Sequence, residues 1–345
     1  MTYGIGMAGS GFMGRTWSEV AQNHAPGTHL AGVAIGRRAA KLAADYDVPL
    51  YSSFDELLAA DDVDMVVLAT PPAVHLEQTL AAAEAGKHLL VEKPMAQDAD
   101  ECRQMTEACE RAGVTMSIVS QHRFRAAPAY AKRLIDDGAI GQVRMVRAIG
   151  PECGFWDTSV TQDEWKLDPN QQTAFASWGT HACDLLRWYI GSRPTQGYAV
   201  IDHFDDTPPP GSSAMATYRF ENGAMAQVWM SYDIPQPGLG TGLQFELVGE
   251  HGIIQFDAYG EVRLGTADGW TVPFVMPPFD PTNPVDPVRL EAYTLELQDL
   301  VDAVDEGRPP MLDGVGGRAT VAMIDAAEHS ARTGEGVRID LGDGS

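Results

Sequence analysis

The chain has 345 residues, 48 of them acidic against 24 basic, for a formal charge of −24. This length fits two domains better than one, and the acidic balance speaks against nucleic acid or a membrane surface as partner and for a small molecule. The four cysteines (102, 109, 153 and 183) have no Cys-x-x-Cys spacing that would suggest zinc or a disulfide framework, and no stretch of about 18 apolar residues occurs, so a soluble, cytoplasmic chain with free thiols is expected.

An apolar segment at residues 3–8 leads into Gly9-Ser10-Gly11-Phe12-Met13-Gly14 and then a helix-competent run at 15–23. A Gly-x-Gly-x-x-Gly between a strand and a helix is the context in which the motif holds a dinucleotide. Gly9 suits the tight turn, Gly11 the approach to a pyrophosphate, and Gly14 the packing of helix on strand, while the helix N-terminus favours the anion. Phe12 and Met13 lie in the same loop. The second strand, residues 30–35, ends where an NAD site would carry Asp or Glu for the ribose hydroxyls. Here the residues are Gly36-Arg37-Arg38. Two guanidiniums and no carboxylate suit a 2′-phosphate, so NADP is favoured and NAD is the alternative; both arginines would otherwise only cap the helix at 39–46.

A helix at 54–60 precedes a continuous apolar strand at 65–69, then Thr70-Pro71-Pro72, with His75 opening the next helix (77–85). Residues 89–91 form another buried strand, which stops at Glu92-Lys93-Pro94. The chain has only five lysines (41, 87, 93, 132 and 166), and Lys93 falls at the carboxyl end of a parallel strand, where ligands collect. A helix at 99–112 and a strand at 115–120 complete an alternating pattern that predicts a doubly wound sheet. Its strand ends, Gly9, Thr70, Glu92 and Gln121, should line one crevice.

Gly9-x-Gly11-x-x-Gly14, Thr70-Pro71-Pro72-x-x-His75, Glu92-Lys93-Pro94 and Gln121-His122-Arg123-Phe124, in this order and spacing, resemble the glucose-fructose oxidoreductase / inositol dehydrogenase / rhizopine-catabolism (Gfo/Idh/MocA) family. The resemblance implies an N-terminal Rossmann domain (1–124) and a C-terminal α/β domain (125–345) whose large, mainly antiparallel open sheet covers the substrate and carries oligomer contacts, as a homodimer or homotetramer. It implies that Lys93 lies beside the nicotinamide, that Thr70, Pro71, Pro72, His75 and Glu92 help hold the cofactor, and that Gln121 sits near its ring with Arg123 toward the substrate. The Lys93–Pro94 bond is a candidate for the cis form.

In the second half, a helix is expected at 128–137 and a strand at 143–148. The irregular segment at 151–172 carries Trp156 and Trp165, suited either to stacking a sugar-like face or to packing. Ser177, His181 and Asp184 then recur on one face of a helical pattern. By the resemblance, His181 matches the histidine of an Asp-x-x-x-His pair that works with the lysine, and Ser177 stands where the family has its aspartate. Strands are expected at 197–201, 213–220, 223–232, 242–249, 252–258 and 261–265, and helices at 289–306 and 317–333, which the resemblance places around the sheet and against the first domain. Leu290, Tyr293, Leu297, Leu300, Val301 and Val304 lie at spacings of three and four, which marks one buried face.

Oxidising a secondary alcohol requires a base within reach of the hydroxyl proton as hydride leaves for the nicotinamide. His181 suits that role, Lys93 would orient the hydroxyl and stabilise developing negative charge, Asp184 would orient the histidine, and Ser177 can only hydrogen-bond. The expected function is therefore NAD(P)-dependent redox chemistry on a sugar, cyclitol or related polyol. Two alternatives stand beside it: a non-catalytic dinucleotide sensor of the same fold, and a reductase of an unusual carbonyl such as a keto-glycoside or a diol.

Overall fold

The computed structural model describes residues 2–151, 173–204, 213–235, 238–239, 242–278, 280 and 283–342. They fall into two compact units, one of Met1–Phe124 with Phe279–Arg318 and one of Arg125–Pro278 with Ala319–Ser345. The first unit runs β1 (Tyr3–Ala8), α1 (Phe12–Glu19), β2 (Thr28–Ala34), α2 (Ala39–Tyr46), α3 (Phe54–Leu58), β3 (Met65–Leu68), α4 (His75–Glu84), β4 (His88–Val91), α5 (Ala99–Ala112), β5 (Met116–Ile118) and a short α6 (Gln121–Phe124). The strands lie in the order β2-β1-β3-β4-β5, and every pairing is parallel. The apolar runs of β3 and β4 are buried almost throughout, as strands covered on both faces must be. Local chemistry sets the helix ends. Asp98 caps α5 by accepting from the backbone of Asp100 and Glu101, and Gly113 ends it in the left-handed conformation at φ 69°. The run expected at 15–23 begins earlier, at Phe12, and widens into a π-helical turn over Val20–His24.

The second unit contains α7 (Ala126–Asp136), β6 (Val143–Pro151), α8 (Ala174–Ile190), β7 (Pro194–Asp202), β8 (Ser213–Phe220), β9 (Met225–Ser231), β10 (Gln244–Gly249), β11 (Ile253–Asp257), β12 (Glu261–Thr266), β13 (Gly269–Val275) and β14 (Val337–Arg338). All but the α-helices join one nine-stranded sheet, ordered β13-β12-β11-β10-β6-β9-β8-β7-β14. It is antiparallel except for β6 against β9. Strict alternation along β8 separates buried Ala214, Ala216, Tyr218 and Phe220 from exposed Met215, Thr217 and Arg219, so one face is core and one is open. On the core side α8 lies over β6, β8 and β9, and Tyr189 meets Phe245 and Phe256 edge-on. Strand β13 escapes the sequence pattern because Pro273 interrupts it; an edge strand tolerates that missing donor.

Two long helices follow, α9 (Pro287–Glu306) and α10 (Gly314–Thr333). Asp286 caps α9 by accepting from Val288 and Arg289, and Pro287 occupies its first position. The periodic face read from the sequence is buried as expected, but in the first unit. Leu290, Tyr293, Leu297, Leu300 and Val301 share a core with Ile5, Met7, Trp17, Val20 and Val33. Residues 279–318, assigned by sequence to a continuous second domain, therefore complete the first unit, because the apolar side of α1 and its π-turn needs a covering layer.

Candidate functional site

In the first unit β1 has β2 on one side and β3 on the other, so the sequential crossovers leave β1 in opposite directions and open a crevice at the carboxyl ends of β1 and β3. The glycine loop leaves β1 at that point. Gly9 has φ +115°, and a Cβ there would stand 2.3 Å from the Ala69 carbonyl oxygen; a Cβ on Gly14 would stand 2.3 Å from the carbonyl oxygen of Gly9. Around Gly11, by contrast, a Cβ would meet nothing within 4 Å. Two glycines are thus demanded by the packing of this chain, while Gly11 borders open space. The first turn of α1, with its unpaired N–H groups, begins beside that open space.

The rim is built from the next strand ends. Thr70 Oγ1 donates to Gln78 Oε1 at 2.6 Å. His75 is completely buried, with Nε2 2.9 Å from the Thr70 carbonyl oxygen and Nδ1 3.1 Å from that of Met95, so one ring ties the loop after β3 to the loop after β4. Glu92 is buried, and its carboxylate accepts from the Trp17 indole at 2.9 Å and from the Lys93 backbone N–H at 3.1 Å. Burial pushes the Glu92 carboxyl above the ordinary range, while the neighbouring Lys93 charge, the indole and the Lys93 N–H act in the opposite sense. Lys93 is half-buried, and its bond to Pro94 is cis. Gln121 opens α6 at the end of β5, and its buried Oε1 has no hydrogen-bond partner among the described residues, a vacancy that an amide donor would fill. An open glycine cradle at a helix N-terminus and this unsatisfied acceptor on the rim fit a nicotinamide dinucleotide.

After β2 the chain turns through Ile35 (φ 63°) and Gly36 (φ 102°). A β-branched residue in the left-handed region costs about 1–3 kcal/mol. The turn is held by Ser10, whose Oγ accepts from the Arg38 N–H at 3.1 Å, and it leaves Arg37 and Arg38 exposed.

In the second unit, Thr173 caps α8 by accepting from the Ala176 N–H at 2.9 Å. Ser177, His181 and Asp184 follow on successive turns, half-buried, half-buried and buried. The Trp178 ring meets His181 edge-on at 5.9 Å.

Residues 3–120 match the family model described as an oxidoreductase family with an NAD-binding Rossmann fold, and residues 129–255 match the GFO/IDH/MocA C-terminal domain. The chain belongs to the GFO/IDH/MocA oxidoreductase family. Among relatives of this family it is 27% identical over 317 residues to D-xylose 1-dehydrogenase (NADP(+)) 2 of Haloferax volcanii, covering 88% of this chain and 89% of that one. It is 26% identical over 293 residues to scyllo-inositol 2-dehydrogenase (NAD(+)) of Bacillus subtilis, covering 83% and 80%. A solved oxidoreductase from Agrobacterium radiobacter, in complex with NAD+, L-tartaric acid and magnesium, superposes with a TM-score of 0.88 at 20% identity over 98% of this chain and 99% of that one, which shows the shared fold.

In this GFO/IDH/MocA chain, Gly9, Gly11, Gly14, Thr70, Glu92, Lys93 and Gln121 follow the carboxyl ends of the strands of the first unit, whereas Phe12 opens α1 under the Arg289 guanidinium and Met13 packs against the core. Two expectations change. His75 acts on the cradle through the loops it joins, because both ring nitrogens face backbone carbonyls and none of its surface is exposed. Arg123, expected to reach substrate, is buried and donates to the Met311 carbonyl at 2.7 Å, which spends the guanidinium on anchoring the connection before α10. Trp156 and Trp165 lie outside the described residues. Sequence reasoning missed Ser10, Trp17 and Gln78, which hold Arg38, Glu92 and Thr70. The spacing Gly14–Trp17 places both on the sheet-facing side of α1, but nothing in the sequence links position 17 to position 92.

The buried ring makes a prediction. Desolvation holds the His75 imidazole below the ordinary histidine value of 6.5, against the pull of its carbonyl partners. On acidification the unfolded chain takes up this proton first, so His75 stabilises the fold fully above about pH 6.5 and progressively less below it. The gap in thermal midpoint between wild type and His75→Gln should be widest near neutrality and close as pH falls below about 6.5. A gap independent of pH would contradict it.

Proposed function

We propose that this oxidoreductase transfers hydride between NAD(P) and a secondary alcohol carbon of a sugar, cyclitol or related polyol. The observation that carries the proposal is Lys93, which leaves β4 at the same end of the parallel sheet where β1 gives way to the open glycine cradle. The relatives named above are dehydrogenases of D-xylose and of scyllo-inositol. The bound cofactor supplies the hydride acceptor. Gly9–Gly14 and the α1 N-terminus bind its pyrophosphate, Gln121 meets its amide, and Thr70-Pro71-Pro72 and Glu92 shape the pocket. The Lys93 ammonium donates to the substrate oxygen and stabilises the negative charge that builds on it as the hydroxyl proton is removed. His181 takes the hydroxyl proton, Asp184 orients it, and Ser177 hydrogen-bonds a neighbouring hydroxyl. Reduced-nicotinamide absorbance across a panel of polyols, sugars and keto-sugars tests this. Cofactor binding with no turnover would favour the sensor reading, to which Ser177 at the family's aspartate position lends some support.

NADP is the proposed preference, because Gly36-Arg37-Arg38 offers two exposed guanidiniums and no carboxylate where the adenosine ribose would lie. Arg37→Glu should weaken NADP binding by about 10–100-fold, the loss of roughly 1.5–3 kcal/mol of charge-assisted hydrogen bonding, and leave NAD binding little changed. Tighter binding of NAD than NADP by the wild type would overturn the preference.

The open face of the sheet presents Met145, Tyr198, Val200, Met215, Met225 and Val248 to solvent, together with an Arg147–Glu246 pair at 3.8 Å. So much exposed apolar surface on one face marks an association site, and we assign it to a second copy in a homodimer or homotetramer. Sedimentation of the whole chain reads this directly. A cytoplasmic location is proposed on the cysteines: Cys109 and Cys183 are buried free thiols, burial pushing both up to about 12. Among the described residues no helix is long and apolar enough to cross a membrane.

A further inference from the structure

Trp17 has none of its surface exposed, yet its one polar atom is spent on a carboxylate. The indole N–H donates to Glu92 Oε1 at 2.9 Å, while Oε2 accepts from the Lys93 N–H at 3.1 Å. The two oxygens are thus held by different elements, α1 and the end of β4, and the carboxylate cannot turn without losing one donor. The indole is fixed from behind. Tyr293 of α9 meets it edge-on at 4.9 Å and 87°, and Arg289 donates to the Tyr293 hydroxyl at 3.3 Å. A tryptophan that only filled the core could satisfy its N–H with a neutral carbonyl. A buried carboxylate is a costly partner unless its charge is used, and the charge next to it is the ammonium of the following residue.

We propose that Trp17 is a positioning residue: through Glu92 it fixes the backbone at which Lys93 leaves β4 and holds a carboxylate charge beside that residue. Among the described residues, the titratable and charged groups that meet this relay include Lys93 on the same loop and, behind the indole, Tyr293 and Arg289 on α9. The Lys93 charge favours the ionised form of Glu92, and by linkage an ionised Glu92 favours the charged form of Lys93. What the ammonium is used for rests on the hydride-transfer reading above; the relay itself does not.

The test reads Lys93 without any substrate. Reductive methylation with ¹³C-formaldehyde labels the lysines at 41, 87, 93, 132 and 166, few enough for Lys93→Arg to assign the Lys93 signal in the full chain. Glu92→Gln should lower the Lys93 titration midpoint by about one pH unit, since a neighbouring negative charge is lost. Trp17→Phe should move it in the same direction, because a carboxylate held by one donor instead of two no longer keeps its charge in place beside residue 93, and the double variant should move it no further than Glu92→Gln alone. With a substrate in hand, Trp17→Phe should lower kcat about tenfold, leave the cofactor Kd within about twofold and shift the basic limb of the pH profile. An unchanged Lys93 midpoint in Trp17→Phe would overturn the proposal. Should that variant fail to fold, Glu92→Gln keeps the volume and still offers the indole an amide oxygen, and an unmoved midpoint there overturns it equally. A midpoint that shifts in a chain that turns over no polyol or sugar supports the relay and counts against hydride transfer instead.

Discussion

Lys93→Met should reduce kcat/KM by about 10³-fold, close to 4 kcal/mol of transition-state stabilisation, while the cofactor still binds. Methionine keeps the length and much of the volume of the side chain, so the half-buried site stays filled and the Glu92 carboxylate keeps its Trp17 and backbone donors. What disappears is the ammonium proposed to meet negative charge on the substrate oxygen. The loss should fall mainly on kcat, since that charge is absent from the bound alcohol and builds only as the hydroxyl proton is removed. His181→Ala, the loss of the proposed base, should cost a comparable factor, and a double variant that loses little more than either single one would show that the two proposed groups serve one step. Steady-state kinetics with fluorescence titration of the cofactor separates these outcomes. Full additivity of the two losses would mean that the residues serve separate steps.

The glycine loop gives the second large effect, and it comes as a contrast. Gly14→Ala places a methyl 2.3 Å from the Gly9 carbonyl oxygen, a backbone atom that cannot yield without prising α1 from β1. Roughly 3 kcal/mol of stability should be lost, at the upper end for overpacked sites. Gly11→Ala meets nothing within 4 Å, and Gly11 already has the extended conformation, φ −78° and ψ −159°. Alanine adopts this freely, so stability should hold or rise by about 0.4–1 kcal/mol through the unfolded state. Cofactor affinity should nevertheless fall by about 10²-fold, nearly 3 kcal/mol, as the methyl enters the space a pyrophosphate must approach. Thermal unfolding and cofactor fluorescence on the same two proteins read both quantities. Undiminished binding by Gly11→Ala would remove the cradle from the account.

Why part of this was legible in the sequence and part was not follows from which forces are local. Strand, turn and helix in the first 120 residues announce themselves through apolar runs stopped by Gly9, Thr70 and Glu92, because parallel strands buried on both faces leave no room for polar residues. The glycine loop and Lys93 are equally visible, since a single position carries each role. The placement of α9 against the first unit came from the family resemblance and not from its own residues. Its apolar stripe fixes that one face is buried but not against which layer, and only the core it shares with Trp17 and Val20 settles the matter. The burial of Arg123 and His75 was hidden for the same reason: whether a guanidinium or imidazole meets solvent or a carbonyl such as that of Met311 or Thr70 depends on chain far away in sequence. Strand β13 was lost to its proline, whose cost vanishes at a sheet edge.

The most direct measurement is the growth of reduced-nicotinamide absorbance when wild-type chain, NADP and a polyol panel are mixed, repeated with the active polyol deuterated at its oxidised carbon. The account predicts turnover on at least one sugar or cyclitol, a slower rate with deuterium, and a signal reduced about 10³-fold in Lys93→Met. Saturable cofactor binding with no absorbance change across the panel, or turnover undiminished in Lys93→Met, would contradict it.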